Sequence, residues 1–198
     1  MKNIFLTQGI YKDKNNSLFF KTDMNWITYS RKLKFNIVQI NDTSSLNLGK
    51  VDGIIFSGGN DLFDLSKKKE NLIRDKLEKK IIRFAIKKKI PCLFVCRGMQ
   101  LLAKMNNLRL KKDKNKFHVN IYHKISFEKN TLKVNSFHNY VVTGKNKNII
   151  ILARSIKDQT IEMIKHRNYN FLATMFHPER ISPDQKKIDK IVKNFFRL

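Results

Sequence analysis

The chain has 198 residues, 41% of them hydrophobic, which suits one globular domain with a real core and excludes an intrinsically disordered segment. It carries 41 lysines and arginines against 16 acidic residues, a formal net charge of +25. No apolar run approaches membrane-spanning length, and the two cysteines, Cys92 and Cys96, match neither a disulfide framework nor a zinc or redox pair, so a reducing cytoplasm is expected.

Met1-Lys2-Asn3-Ile4 runs straight into a short apolar strand, Ile4 to Thr7, with no leader segment expected. Gln8 to Phe20, rich in lysine and asparagine, reads as a loop forming one wall of a site. Asp23 to Leu33 has helical spacing at Trp26, Tyr29, Ser30 and Leu33, and Asp23 is placed to cap it. Phe35 to Ile40 is the next strand. Val51 to Phe56 is a near-continuous apolar run, as expected of a parallel strand buried on both faces. Ser57-Gly58-Gly59-Asn60-Asp61 follows at its C-terminal end, where open α/β sheets place their ligands. Paired glycines let backbone N–H groups approach a substrate oxygen, although two glycines alone are equally a plain turn.

Glu70 to Lys88 has the pattern of a long amphipathic helix, with Leu72, Ile73, Leu77, Ile81, Phe84 and Ala85 on its apolar side. It leads to the strand Cys92 to Val95 and so makes a β-α-β crossover. After Asn107 the runs shorten. Phe117 to Phe127, Leu132 to Val134, Val141-Val142, Ile149 to Ala153, Thr160 to Ile164 and Phe171 to Phe176 read as strands, mostly antiparallel beyond Asn107. Asp184 to Phe196 is a closing helix with Ile188, Ile191, Val192 and Phe195 inward. With no repeats and no linker, residues 1–198 are expected to form a single α/β domain: a mostly parallel central sheet flanked by helices, with an additional antiparallel region.

The chemistry concentrates at Pro91-Cys92-Leu93-Phe94-Val95-Cys96-Arg97-Gly98-Met99-Gln100. A buried strand ends at Cys96 and a helix begins at once, so the thiol sits at a helix N-terminus, where unpaired N–H groups favour a thiolate. Gly98 lets the backbone turn tightly behind it, a nucleophile elbow carrying cysteine. Downstream, Met175-Phe176-His177-Pro178-Glu179-Arg180 follows a strand. Proline keeps His177 extended, and period-two geometry puts Glu179 on its face, where a carboxylate orients an imidazole. Cys96, His177 and Glu179 are the candidate nucleophile, base and orienting residue.

Four stretches, in this order, resemble the class I glutamine amidotransferases, whose domain is flavodoxin-like: Asp52 to Asp61, Cys96 to Gln100, Val134-Asn135-Ser136-Phe137-His138-Asn139, and His177 to Arg180. The pair Asp23 and Trp26 is similar to an Asp-x-x-Trp stretch of the γ-glutamyl hydrolase-like branch, which includes γ-glutamyl-γ-aminobutyrate and γ-glutamyl-CDP-amidate hydrolases. The resemblance implies that Gly59 and Arg97 N–H groups form the oxyanion hole. It implies that Gly58, Gln100, Ser136, Phe137 and His138 bind substrate, and it leaves a site role for His118 open. His123 and His166 are expected to be surface or packing residues. No ligand set has zinc spacing, so neither a metal nor a cofactor is expected. Two positions depart from the family: Phe94 stands where a glycine usually precedes the nucleophile, and Gln159 where a hairpin glycine is common.

The leading expectation is therefore hydrolysis of a γ-glutamyl amide on a small, anionic substrate, releasing glutamate. A glutaminase subunit supplying ammonia to a separate synthase is the second. The charge raises nucleic acid as a partner, but scattered lysine runs (Lys67 to Lys69, Lys87 to Lys89, Lys111 to Lys116) with few arginines and no interleaved aromatics disfavour it. Solvated surfaces, or a positive field steering an anionic substrate, are the readings preferred.

Overall fold

Strands apolar on both faces must lie inside a covered sheet, and Asn3–Thr7, Gly53–Phe56, Cys92–Val95 and Phe171–Thr174 are of this kind, buried almost throughout. The computed structural model describes residues 1–47 and 49–198. In chain order these form β1 (Asn3–Thr7), β2 (Gly9–Lys12), β3 (Leu18–Lys21), α1 (Met24–Leu33), β4 (Asn36–Ile40), a 3-10 turn (Ser44–Asn47), β5 (Gly53–Phe56), α2 (Phe63–Ser66), α3 (Lys69–Lys88), β6 (Cys92–Val95) and α4 (Arg97–Met105). The second half adds β7 (Arg109–Lys112), β8 (Val119–Phe127), β9 (Asn130–Phe137), β10 (Tyr140–Thr143), β11 (Ile149–Ser155), β12 (Ile161–His166), β13 (Phe171–Thr174) and α5 (Gln185–Phe196).

The main sheet runs β4-β1-β5-β6-β13-β12-β11-β8-β9, with β10 and β7 attached beside β12. From β4 to β13 every neighbour is parallel; from β13 outward every pairing is antiparallel. The expected α/β class with its antiparallel addition is what the chain adopts. One face of the sheet packs on α3 and α4 through Phe56, Ile81, Ile82, Ala85, Phe94 and Met99. The other packs on α1 and α5 through Leu6, Trp26, Leu33, Ile188, Val192 and Phe196. Among the described residues no helix is long and apolar enough to cross a membrane.

Local chemistry explains the agreements. The Asp23 side chain accepts the Asn25 N–H at 2.9 Å and caps α1, as its position predicted. Gln159 adopts φ 60°, the left-handed conformation for which the commoner glycine is suited. Phe94 fits without forcing the sheet apart. It stacks on Phe56 at 4.4 Å between ring centroids and meets Phe171 edge-on at 5.2 Å, while its register partner on β13 is the small Ala173.

Two expectations need correction, and one strand had not been assigned. Gln8 to Phe20 is not a plain loop but largely the antiparallel β2–β3 hairpin, pairing Ile10 with Phe20. Arg109–Lys112, too basic to read as a strand, is an edge strand paired with β10. On α3 the apolar stripe holds only in the second half, at Ile81, Ile82 and Ala85; toward the N-terminus the buried residues are Asn71, Arg74, Asp75 and Glu78. Those polar groups face inward because they meet charged and backbone partners at the end of the sheet.

Candidate active site

The site lies where the parallel strands end. β6 delivers Cys96 out of the sheet and α4 begins on the next residue, leaving Cys96 as its N-cap at φ 51° and ψ −102°. Such a backbone conformation costs about 1–3 kcal/mol and persists only when the surroundings impose it. They do so here through close packing: a Cβ on Gly98 would stand 2.5 Å from the Phe56 carbonyl oxygen.

His177 leaves the adjacent strand β13. Its Nδ1 lies 2.7 Å from Glu179 Oε1, and its imidazole interacts electrostatically with the Cys96 sulfur. Asn135 on β9 fixes the loop that carries it. The Asn135 Oδ1 accepts the His177 N–H at 2.9 Å, and its Nδ2 donates to the His177 and Arg180 carbonyls at 2.7 and 3.0 Å. Burial alone would push the His177 pKa down, but the Glu179 carboxylate and the Cys96 sulfur outweigh it and hold the pKa up at about 10. The imidazole is therefore kept protonated, with sulfur on one side and carboxylate on the other.

Facing this pair is the turn after β5. A Cβ on Gly58 would fall 2.5 Å from His177 Cε1 and 3.5 Å from Cys96 Cβ, so only glycine lets the backbone come this close. Gly59 has φ 110°, again a conformation suited to glycine. The Arg97 N–H is the first of α4, where no intrahelical acceptor exists for it.

A buried ionic network holds turn and elbow in register. Arg74 Nη2 donates to the Ser57 carbonyl at 2.7 Å, Arg74 Nη1 to Asn60 Oδ1 at 3.3 Å, and Arg74 Nε to Glu78 Oε1 at 2.9 Å. The Arg97 guanidinium pairs with Glu78 and Asp75, and Thr7 at the end of β1 donates to Glu78 at 3.0 Å. Burial opposes the ionised form of Glu78, yet the Arg97 and Arg74 guanidiniums win and hold its carboxyl below the usual range. Sequence reading missed these residues by following the leucines and isoleucines of α3. Polar residues at 71, 74, 75 and 78 do recur at helical spacing, and that was the available signal.

A cleft of about 250 Å³ opens beside the triad, lined by Tyr11, Lys21, Asp23, Gly58, Gly59, His177 and Arg180, among others. The β2–β3 hairpin forms one wall of it, as the sequence led us to expect of this stretch. Asp23 and Arg180 pair across it at 2.8 Å, and Lys21 Nζ stands over the Tyr11 ring. The remaining candidates lie elsewhere. Phe137 stands at the rim with His177 edge-on to its ring at 5.8 Å and Arg180 over its face. Gln100 is buried and donates to the Tyr140 carbonyl at 3.3 Å, outside the cleft lining. Ser136 and His138 turn away from the cleft. His138, with His118 and His123, surrounds the buried Glu162 carboxylate, and the Ser136 hydroxyl meets the His118 carbonyl and His138 Nε2. His123 packs edge-on against His118 at 4.8 Å, and His166 is stacked on Tyr169.

Residues 20–198 match the family described as glutamine amidotransferase class-I. A γ-glutamyl-CDP-amidate hydrolase of Campylobacter jejuni is 35% identical over 130 residues, covering 66% of this chain and 63% of that relative. The carbamoyl phosphate synthase small chain of Helicobacter pylori is 31% identical over 119 residues, 59% of this chain and 32% of the other. The matches thus span less than two thirds of the length of either relative. In fold, the chain is similar to a solved structure from Thermoplasma acidophilum, a candidate GMP synthase subunit, with TM-score 0.73 and 22% identity over 100% of this chain and 93% of the other.

Proposed function

The chain belongs to the class-I glutamine amidotransferases, and from that premise we propose that it is a self-standing hydrolase of a γ-glutamyl amide whose leaving group is anionic. The observation that carries this reading is the strained Cys96 elbow, held against a His177–Glu179 pair that lines a cleft together with Lys21 and Arg180.

The steps follow from the groups present. Paired with the His177 imidazolium, Cys96 reacts as the thiolate, and Sγ attacks the γ-carbonyl carbon. Oxygen then carries the negative charge of the tetrahedral intermediate, stabilised by the Gly59 and Arg97 N–H groups. The His177 imidazolium protonates the leaving amine, the C–N bond breaks, and a glutamyl thioester remains on Cys96. His177, now neutral, takes a proton from water as it attacks the thioester; the C–S bond breaks and glutamate leaves. Glu179 orients the ring throughout. Lys21 and Arg180 are the groups that would hold a phosphate-bearing leaving group. The Campylobacter relative, named for hydrolysis of a γ-glutamyl-CDP-amidate, supports a nucleotide-linked substrate of this kind.

A second reading, a glutaminase subunit feeding ammonia to a separate synthase, is favoured by a different observation. Leu18, Phe19 and Phe20 on β3 are 45–47% exposed beside the cleft, an apolar edge that a synthase could cover. Glutamate release by the purified chain alone separates the two. The hydrolase reading predicts turnover of a nucleotide-linked γ-glutamyl amidate or γ-glutamyl-aminobutyrate in preference to free glutamine, because remote contacts act in the transition state. Activity confined to glutamine, and only with a second protein present, would establish the synthase-linked reading instead.

A further inference from the structure

Behind the catalytic loop, on the antiparallel side of the sheet, five polar side chains meet in a place closed to water. Glu162 on β12 is 0% exposed and neither of its carboxylate oxygens has a hydrogen-bond partner. His118 Nδ1 lies 3.4 Å from Glu162 Oε1 and His138 Nε2 lies 3.8 Å from the same oxygen, while His123 Nε2 is 3.5 Å from Oε2. An ionised carboxylate buried without partners is costly, and buried polar groups are normally paired.

For two of the three rings, the far side fixes which nitrogen of the neutral imidazole carries the proton. His118 Nε2 is 2.9 Å from Asp158 Oδ2, an acceptor, so Nε2–H donates there and Nδ1 is left with its lone pair. His138 Nδ1 is 3.1 Å from the Tyr140 carbonyl, so Nδ1–H donates there and the lone pair is on Nε2. Ser136 cannot satisfy the set, because its hydroxyl has one proton for two acceptors, the His118 carbonyl at 2.9 Å and His138 Nε2 at 3.1 Å. Two imidazole lone pairs and a carboxylate therefore converge, with all three ligand atoms within 4.8 Å of one another.

From this geometry we propose that His118, His138 and Glu162 bind a divalent transition-metal ion of the zinc class, with His123 beside them as a fourth donor. Nitrogen and carboxylate donors in a buried set of three or four suit zinc. Tetrahedral zinc places its donors roughly 3.3 Å apart, so two of the pairs already stand close to coordination. Each of the two histidines whose proton is fixed gives its other ring N–H to a carboxylate or a backbone carbonyl, the usual outer partners of metal-bound imidazole. The ligands come from the turn before β8, the turn after β9 and strand β12, which is why sequence spacing gave no hint of them. The ion would clamp β8, β9 and β12, and β9 is the strand whose Asn135 holds His177 in place. Its role is to brace the antiparallel wall, with no part in the chemical step.

Zinc titration of the purified, chelator-treated chain is the test, read by calorimetry, metal content and thermal unfolding. The expected result is one tightly bound Zn²⁺ per chain and a rise in Tm that a chelator reverses. Cys96→Ala should bind as the parent does, which separates this site from the catalytic sulfur. Glu162→Gln and His138→Gln should lose binding. Asp158→Asn, on an accessible turn and expected to fold, should weaken it roughly 10- to 100-fold. A parent chain that binds no zinc overturns the proposal. Zinc binding that is lost in Cys96→Ala, or undiminished in Asp158→Asn, overturns it as well.

Discussion

Gly58→Ala isolates the geometric claim on which the site depends. The added methyl carbon would lie 2.5 Å from His177 Cε1 and 3.3 Å from Nε2. Ordinary carbon contacts begin near about 3.5 Å, so the imidazole must withdraw by about 1 Å. Gly58 does not have a positive φ, so alanine meets no backbone strain there and space alone is at issue. Glu179 grips Nδ1 at 2.7 Å and Asn135 holds the backbone on both sides, so the ring can only tilt away from Cys96. A displacement of this size in a catalytic group costs about 100-fold in rate. Crowding a packed region costs about 1–3 kcal/mol, which for a chain of this length lowers Tm by roughly 2–12 °C. Glutamate release measured across substrate concentration should show kcat falling by about two orders of magnitude with KM little changed. Gly49→Ala, where a Cβ meets nothing within 4 Å, is the control. A Gly58→Ala enzyme with parental kcat would refute the idea that this contact shapes the Cys96–His177 pair.

Phe94→Gly should not improve the enzyme, despite restoring the residue usual in the family. It removes a ring packed on Phe56 and Phe171 and should cost at least about 3–5 kcal/mol, seen as a lower midpoint in thermal unfolding. In a pH–rate profile, kcat/KM should fall on the alkaline side near pH 10, where His177 loses its proton. Glu179→Gln removes a charge that holds that pKa up, so its alkaline limb should move to lower pH; an unmoved limb would sever Glu179 from His177. By linkage, the stability this raised pKa contributes is complete below about pH 6.5 and is lost as pH climbs through 10. If the net charge of +25 steers an anionic substrate, kcat/KM should drop as salt rises while kcat holds; salt-independent kcat/KM would remove steering.

What the sequence revealed, and what it hid, follows from the range of each interaction. The elbow was legible because strand, cysteine and helix are contiguous, and Gly98 marks where strand and helix touch. His177 and Glu179 were legible because they are two residues apart beside a proline. The buried α/β sheet announced itself in runs such as Val51 to Phe56. By contrast, Arg74, Asp75 and Glu78 take their meaning from Arg97 and from the Ser57 turn, distant in sequence, so α3 looked like an ordinary amphipathic helix. The Glu162 cluster was harder still, since histidines on and beside β8 and β9 meet Glu162 of β12 only in the folded sheet. Lysine-rich stretches hid strands twice: a hairpin was read as loop at Gln8 to Phe20, and an edge strand was passed over at Arg109–Lys112. There, backbone pairing outweighs the low strand preference of the side chains.

The covalent step can be observed directly by quenching the purified chain in acid during turnover of a γ-glutamyl conjugate and mapping its peptides by mass spectrometry. A glutamyl thioester confined to the peptide containing Cys96, forming and decaying at rates that match glutamate release and absent from Cys96→Ala, is the predicted result. Undiminished glutamate release from Cys96→Ala, or an adduct on Cys92 alone, would contradict it.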